Sequence, residues 1–285
     1  MIDPPMEQML GNVQRGMRRL AWGMLLLCSA CNHDQQSWDG EVTTTVDHSF
    51  VDSEFHAIRH LIDFEGMADT AIYGGVSGTQ RIFCPSTVAS VQRTGPGTMR
   101  LTVDFGSGAN CIDGRLRAGR LIANFTGKWK DPGSTVVISP QGYTVAGYAF
   151  TFTQSVTVNP RDANNHRNWR TVVNDAVLVH PGSGTITWSG THTTAWVEGE
   201  GRPDPGTYAY AVTGSANGIA RNSLSFTAQV DHPLRVHTVC PFPVSGIWGI
   251  TPQGLLRRSL DYGGGGCDMQ ATMAVGDYSL QVVLP

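Results

Sequence analysis

"CPSTVASVQRTGPGTMRLTVDFGSGANC", residues 84–111, begins and ends on cysteine, and within it Met99, Leu101, Val103 and Phe105 alternate with Arg100, Thr102 and Asp104. Successive side chains of a strand point to opposite faces, so this period of two predicts a strand with one face buried and the other in water. Pro96-Gly97 interrupts the run and turns it into a hairpin. The same plan returns in residues 240–267, "CPFPVSGIWGITPQGLLRRSLDYGGGGC", with Val244 for Val88, Pro252 for Pro96 and an Asp-aromatic-Gly triplet before the second cysteine. The cysteines are 27 positions apart in both copies. We read an internal duplication, with repeats near 84–127 and 240–285. Each copy is expected to be a hairpin closed by its own disulfide, Cys84–Cys111 and Cys240–Cys267, and to continue into a further strand, 121–125 and 278–283. The crossed pairing, Cys84 with Cys267 and Cys111 with Cys240, also satisfies the sequence. An even cysteine set of this kind belongs to an oxidising compartment. No CxxC pair occurs among the four, which argues against a zinc site there.

The alternation extends through the middle of the chain. Tyr148, Phe150 and Phe152 share one parity, as do Phe226, Ala228 and Val230, with Thr, Ser and Gln on the other. Pro132-Gly133, Pro140, Pro181-Gly182 and Pro205-Gly206 punctuate the remainder. No helix-length pattern separates these strands, which excludes parallel βαβ units. The expected class is therefore all-β: an antiparallel, long-stranded sheet or sandwich with two disulfide-stapled hairpin repeats and one short N-terminal helix. That helix is placed at 53–75, where Phe55, Ile58, Leu61, Ile62 and Phe64 recur near helical spacing, and it is expected to lay an apolar stripe on a β-domain spanning 76–285.

"RRLAWGMLLLCSACNHD", residues 18–34, reads as the end of a secretory signal. Arginines precede a short apolar run that is too brief for the roughly 20 residues of a membrane span. Ser29-Ala30 before Cys31 has the small residues of a lipoprotein cleavage site. We expect 1–30 to be removed with Cys28, Cys31 to carry the lipid, and the polar segment 31–52 to act as a tether. Met1 and Met17 both remain as start sites. The 285-residue chain carries a formal charge of −3, and loss of three arginines and two acids with the signal leaves −4. That balance excludes the basic face of a nucleic-acid binder.

The lipobox end, "DHSFVDSEFHAIRHLIDFEG", "DFGSGANCIDGRLRAGRLIANFTGKWKDPG", "WVEGEG" and "LDYGGGGCDMQATM" together resemble a family of uncharacterised lipoproteins of Bacteroidota-type bacteria. The resemblance implies an outer-membrane, lipid-anchored address, on the periplasmic face or the cell surface, and an all-β body. It implies no catalysis. Asp69-Thr70-Ala71 fits the O-glycosylation pattern of such bacteria.

Chemistry-bearing residues are few. In "TITWSGTHTTAWVEGE", Ile186, Trp188, His192, Trp196 and Glu198 share a parity. Trp188, His192, Trp196 and Glu198 are thus a candidate glycan-stacking face if exposed, while a core position for the indoles, with His192 near the sheet edge, is the expectation from tryptophan's usual burial. Glu198 and Glu200 have the spacing of a glycosidase carboxylate pair. His56 and His60 lie four apart on the helix and are read as a solvated face. Asn159, Asp162, Asn164, Asn165 and Asn168 form an oxygen-rich loop without the spacing of a calcium loop. No GxSxG or phosphate-cradling motif occurs. No cofactor, metal or catalytic residue is expected. The function expected is a structural or binding role in the envelope, with a membrane reached through the lipid. The alternatives are a glycan-binding or glycan-cleaving surface protein and an accessory subunit of an outer-membrane complex.

Overall fold

A computed structural model describes residues 39–67, 72, 83–202 and 204–285. Cys31, expected to carry the lipid, Cys28, expected to be cleaved away, and the Asp69-Thr70-Ala71 triplet lie outside those residues. The chain from Trp38 to Pro285 forms one compact unit.

A helix, α1 (Thr43–Met67), is followed by fourteen strands: β1 (Val88–Gly95), β2 (Thr98–Asp104), β3 (Ala109–Asn110), β4 (Leu116–Thr126), β5 (Thr135–Val145), β6 (Tyr148–Val158), β7 (Asn168–His180), β8 (Gly184–Glu198), β9 (Ala209–Ile219), β10 (Ser225–His237), β11 (Ser245–Pro252), β12 (Arg258–Gly264), β13 (Gln270–Val275) and β14 (Tyr278–Val283). All belong to a single antiparallel sheet, not a sandwich. Each strand pairs with the next along the chain, except that β4 pairs with both β2 and the short β3. Both disulfides bridge within a copy, Cys84–Cys111 around β1 and β2 and Cys240–Cys267 around β11 and β12. The two stapled hairpins therefore sit toward opposite ends of the sheet. In the second copy β13 intervenes before β14, so by order the counterpart of β4 is β13, not the 278–283 strand that the sequence suggested.

The helix is where expectation and structure differ most. It begins at Thr43, inside the segment read as a tether, because an acidic lead-in supplies its first turn: Glu41 accepts hydrogen bonds from the backbone N–H and the hydroxyl of Thr44 at 2.8 and 2.6 Å. Asp39 and Glu41 are in turn held by Arg258 of β12. Nor does α1 lie on the sheet by one stripe. Of its 25 residues 23 are buried, because the sheet wraps around it. Asp52 meets Trp248 of β11, Glu54 meets Arg117 of β4 and Tyr143 of β5, and Gln154 of β6 donates to the Phe55 carbonyl. Arg59 lies over Trp169 of β7 and Tyr210 of β9, and His56 stacks on His192 of β8. His56 and His60, read as solvated, are 5% and 3% exposed.

Glycines make the wrapping fit. A side chain at Gly190 would lie 2.3 Å from the Trp188 indole, and one at Gly218 would lie 2.1 Å from the Thr187 carbonyl. Breaking the second staple with Cys240→Ser and Cys267→Ser together is expected to cost roughly 3 to 4 kcal/mol, since an open loop of this length regains its closure entropy in the unfolded chain. Urea unfolding of the double variant checks this.

Candidate functional site

The residues singled out in β8 divide between core and surface. Trp188, His192 and Trp196 are buried, facing α1 and the neighbouring strands. The Trp188 indole donates to His48 Nδ1 at 3.1 Å and stacks on Phe55. Trp196 packs on Tyr208 and Trp169 and donates to the Glu198 carbonyl. His192 lies in the interior rather than near a sheet edge. These side chains do not present a sugar-stacking strip.

Glu198 and Glu200 are exposed and committed to guanidinium groups. Glu198 pairs with Arg235 at 2.6 Å, and Glu200 with Arg161 and Arg167. The Arg235 hydrogen bond holds Glu198 below the ordinary carboxylate range. Partial burial pushes Glu200 up, but the Arg161 bond outweighs it and Glu200 is lowered too. A glycosidase acid needs the opposite shift. In the asparagine-rich loop the polar groups satisfy one another: Asn159 donates to Asn168, Asn168 to the Pro160 carbonyl, and Asp162 caps the N–H groups of Asn164 and His166.

Inside the sheet the polar residues of α1 form a chain of paired charges. Arg117 forks between Glu54 and Asp113, while Arg115 and the Tyr143 hydroxyl also bond to Glu54. Burial raises Tyr143 well above its usual value, and Glu54 beside it adds to the effect. For Asp113 burial alone would raise the carboxyl, yet the Arg117 guanidinium holds it low. Farther along, Asp63 is paired with Arg59, and burial still pushes it up to about 6. These groups tie the helix to its strands.

A concave surface open to solvent lies on the outside of β7 to β11. A groove of about 850 Å³ adjoins a second of about 540 Å³, and Ser189, Asn217, Thr227 and Thr251 line both. The register makes this a grid. Ser189, Asn217, Thr227 and Thr251 are direct cross-strand partners in one row, and Thr191, Ser215 and Gln229 form the next. Neighbouring strands lie about 4.8 Å apart, so hydroxyl and amide groups repeat along the row at that interval. The register shifts of β7 between Val173 and Ala176 and of β10 between Gln229 and Leu234 bend the surface here. Gly249 leaves room for Arg257, which pairs with Asp231 at the rim. Among the described residues no side-chain hydrogen bond engages Asn217, Thr227, Gln229 or Thr251. Thr187, Ser189 and Thr191 have the parity of β8 opposite to Trp188 and His192, and the groove they line is visible only once five strands are in register.

No protein family, no curated protein and no solved structure matches the chain. Among the described residues no helix is long and apolar enough to cross a membrane.

Proposed function

We propose that the chain is an exported, lipid-anchored binding protein of the bacterial envelope, that the groove outside β7–β11 is its ligand face, and that the ligand is a neutral glycan. One observation carries the reading: a continuous concave surface that holds a row of hydroxyl and amide side chains in register across four strands, flanked by the apolar Val177, Ile219 and Leu255. Such groups donate and accept without charge, which suits a sugar's hydroxyls and gives little to an anion or a cation. The carboxylates near the groove do not make a hydrolytic pair. Asp231 is bound to Arg257, and Asp175 stands alone at the β7 bulge with its backbone N–H donating to Ser189. Binding without cleavage is the role that remains. The anchor at Cys31 would hold the groove at the membrane surface, and Cys31→Ser is expected to abolish labelled palmitate incorporation and release the protein from the membrane fraction.

Affinity electrophoresis in gels containing dextran, mannan or a β-glucan tests the groove. Retardation by at least one of these is expected. Asn217→Arg, which places a long cation in the middle of the first row, should weaken it at least about tenfold, the equivalent of losing one or two good hydrogen bonds. Wild-type mobility in all three gels, or full retardation of the variant, would contradict the assignment.

A further inference from the structure

Asp52 and His56, one turn apart on α1, meet His192 of β8 in the middle of the molecule. Asp52 Oδ1, His56 Nε2 and His192 Nε2 are each buried and each lack a hydrogen-bond partner, and the three side chains lie together. His192 Nε2 lies 3.2 Å from Asp52 Oδ1 and His56 Nε2 lies 3.7 Å from Asp52 Oδ2. The three residues' ligand atoms all fall within 4.8 Å of one another. We infer that Asp52, His56 and His192 bind a divalent transition-metal ion of the zinc class, which fastens the central helix to β8.

Three features carry the assignment. The first is the orphaned atoms themselves, because a buried unpaired polar atom costs about 1 to 3 kcal/mol and here three converge. A single proton shared between Asp52 and His192 would satisfy two of them and leave His56 Nε2 alone, whereas a cation satisfies all three. The second is charge. The buried carboxylates of Asp47, Glu54, Asp63 and Asp113 each face a guanidinium, from Arg221, Arg117, Arg59 and Arg117 respectively. Asp52 instead faces two imidazoles and the Trp248 indole, which donates to its second oxygen at 3.3 Å. That indole hydrogen bond is the outer-sphere support that orients a ligating carboxylate. The third is dimension. With bonds of about 2.1 Å, tetrahedral ligand atoms stand about 3.4 Å apart; His192 Nε2 is 3.2 Å from one Asp52 oxygen, His56 Nε2 is 3.7 Å from the other, and one donor atom from each residue falls within 4.8 Å of the others. Imidazole nitrogen and carboxylate oxygen are the donor set that zinc takes. The four cysteines of the hairpins are bridged and do not compete for the ion.

Because the site is enclosed, the ion must enter as the chain folds. The test therefore unfolds the full chain in detergent and chelator with its disulfides intact, refolds it with Zn²⁺ or Co²⁺, and counts ions after gel filtration. One ion per chain is expected, with visible absorption from Co²⁺ in a low-symmetry site. The isosteric Asp52→Asn should weaken binding beyond the roughly 10- to 100-fold that follows loss of an outer-sphere partner. His192→Gln should do the same, while His232→Gln, an exposed histidine of β10, should leave the stoichiometry at one. Wild-type protein that refolds with no ion, or Asp52→Asn and His192→Gln proteins that keep the full complement, would overturn the inference. If His192→Gln does not refold, Asp52→Asn and the wild-type count decide it.

Discussion

Replacing Arg117 by alanine is expected to destabilise the protein by about 3 to 5 kcal/mol, because it leaves Asp113 buried without its paired guanidinium and Glu54 with Arg115 alone. Arg117 is 1% exposed on its side chain and reaches Glu54 at 2.7 Å and Asp113 at 2.6 Å, both of them buried. Burial disfavours its charge, but Glu54, followed by Tyr143 and Asp113, more than offsets that and raises the guanidinium well above its usual value. Arg117→Lys should recover little, since one ammonium cannot fork between two carboxylates. The contrast is Arg161→Ala at the surface, where the pair with Glu200 is 40% and 30% exposed and the loss should stay below about 1 kcal/mol. Urea unfolding of the three variants checks the order. Equal midpoints for Arg117→Ala and Arg161→Ala would show that Arg117 does not hold the helix in place.

Mild acid is expected to have the second large effect. Burial lowers His48 to about 3 and His192 to about 4, and holds His56 and His60 well below the ordinary value. Below pH about 6.5 the unfolded chain takes up these protons and the folded chain does not, so stability falls as pH falls. Two carboxylates act in the other direction. Burial raises Asp52 to about 7 and Asp63 to about 6, so above pH about 4 the folded state keeps protons that the unfolded state releases, and their stabilising contribution is lost as pH rises through those values. Between pH 5 and 6 the four histidines outnumber the two acids, so in the metal-free protein the net effect is a loss of stability as pH falls. Urea midpoints measured from pH 7 to pH 5 should fall steeply. A flat profile, or a rise toward pH 5, would mean that these imidazoles are not buried as neutral rings.

The sheet was legible because its signal is local. Alternation such as that of Met99, Leu101, Val103 and Phe105 repeats strand after strand, and the matched cysteine intervals pointed to bridges within each copy while leaving the crossed pairing open, which the structure decides. The helix was only half legible, and the reason is physical. Amphipathic periodicity assumes a helix with one face in water, and a helix buried all round is expected to be apolar all round. Here Asp47, Asp52 and Glu54 are buried polar residues whose partners lie far along the chain, Arg117 being 63 positions from Glu54, and Arg59 and Asp63 are buried as a pair on the helix itself. Thr43, Thr44 and Thr45 are weak helix formers, so propensity pointed to a tether, although the acids Asp39 and Glu41 just ahead were a usable start signal. The groove and the Asp52, His56, His192 cluster were not legible, since each is assembled from distant segments whose registers no single stretch encodes.

Hydrogen exchange resolved to peptides tests the central claim, a helix enclosed by its own sheet, most directly. Amides of 47–67 should exchange as slowly as those of β6 to β9, and only through global unfolding, because water reaches neither without opening the sheet. Exchange across 47–67 much faster than in those strands would place the helix outside and contradict the fold, the buried charge pairs and the interior site together.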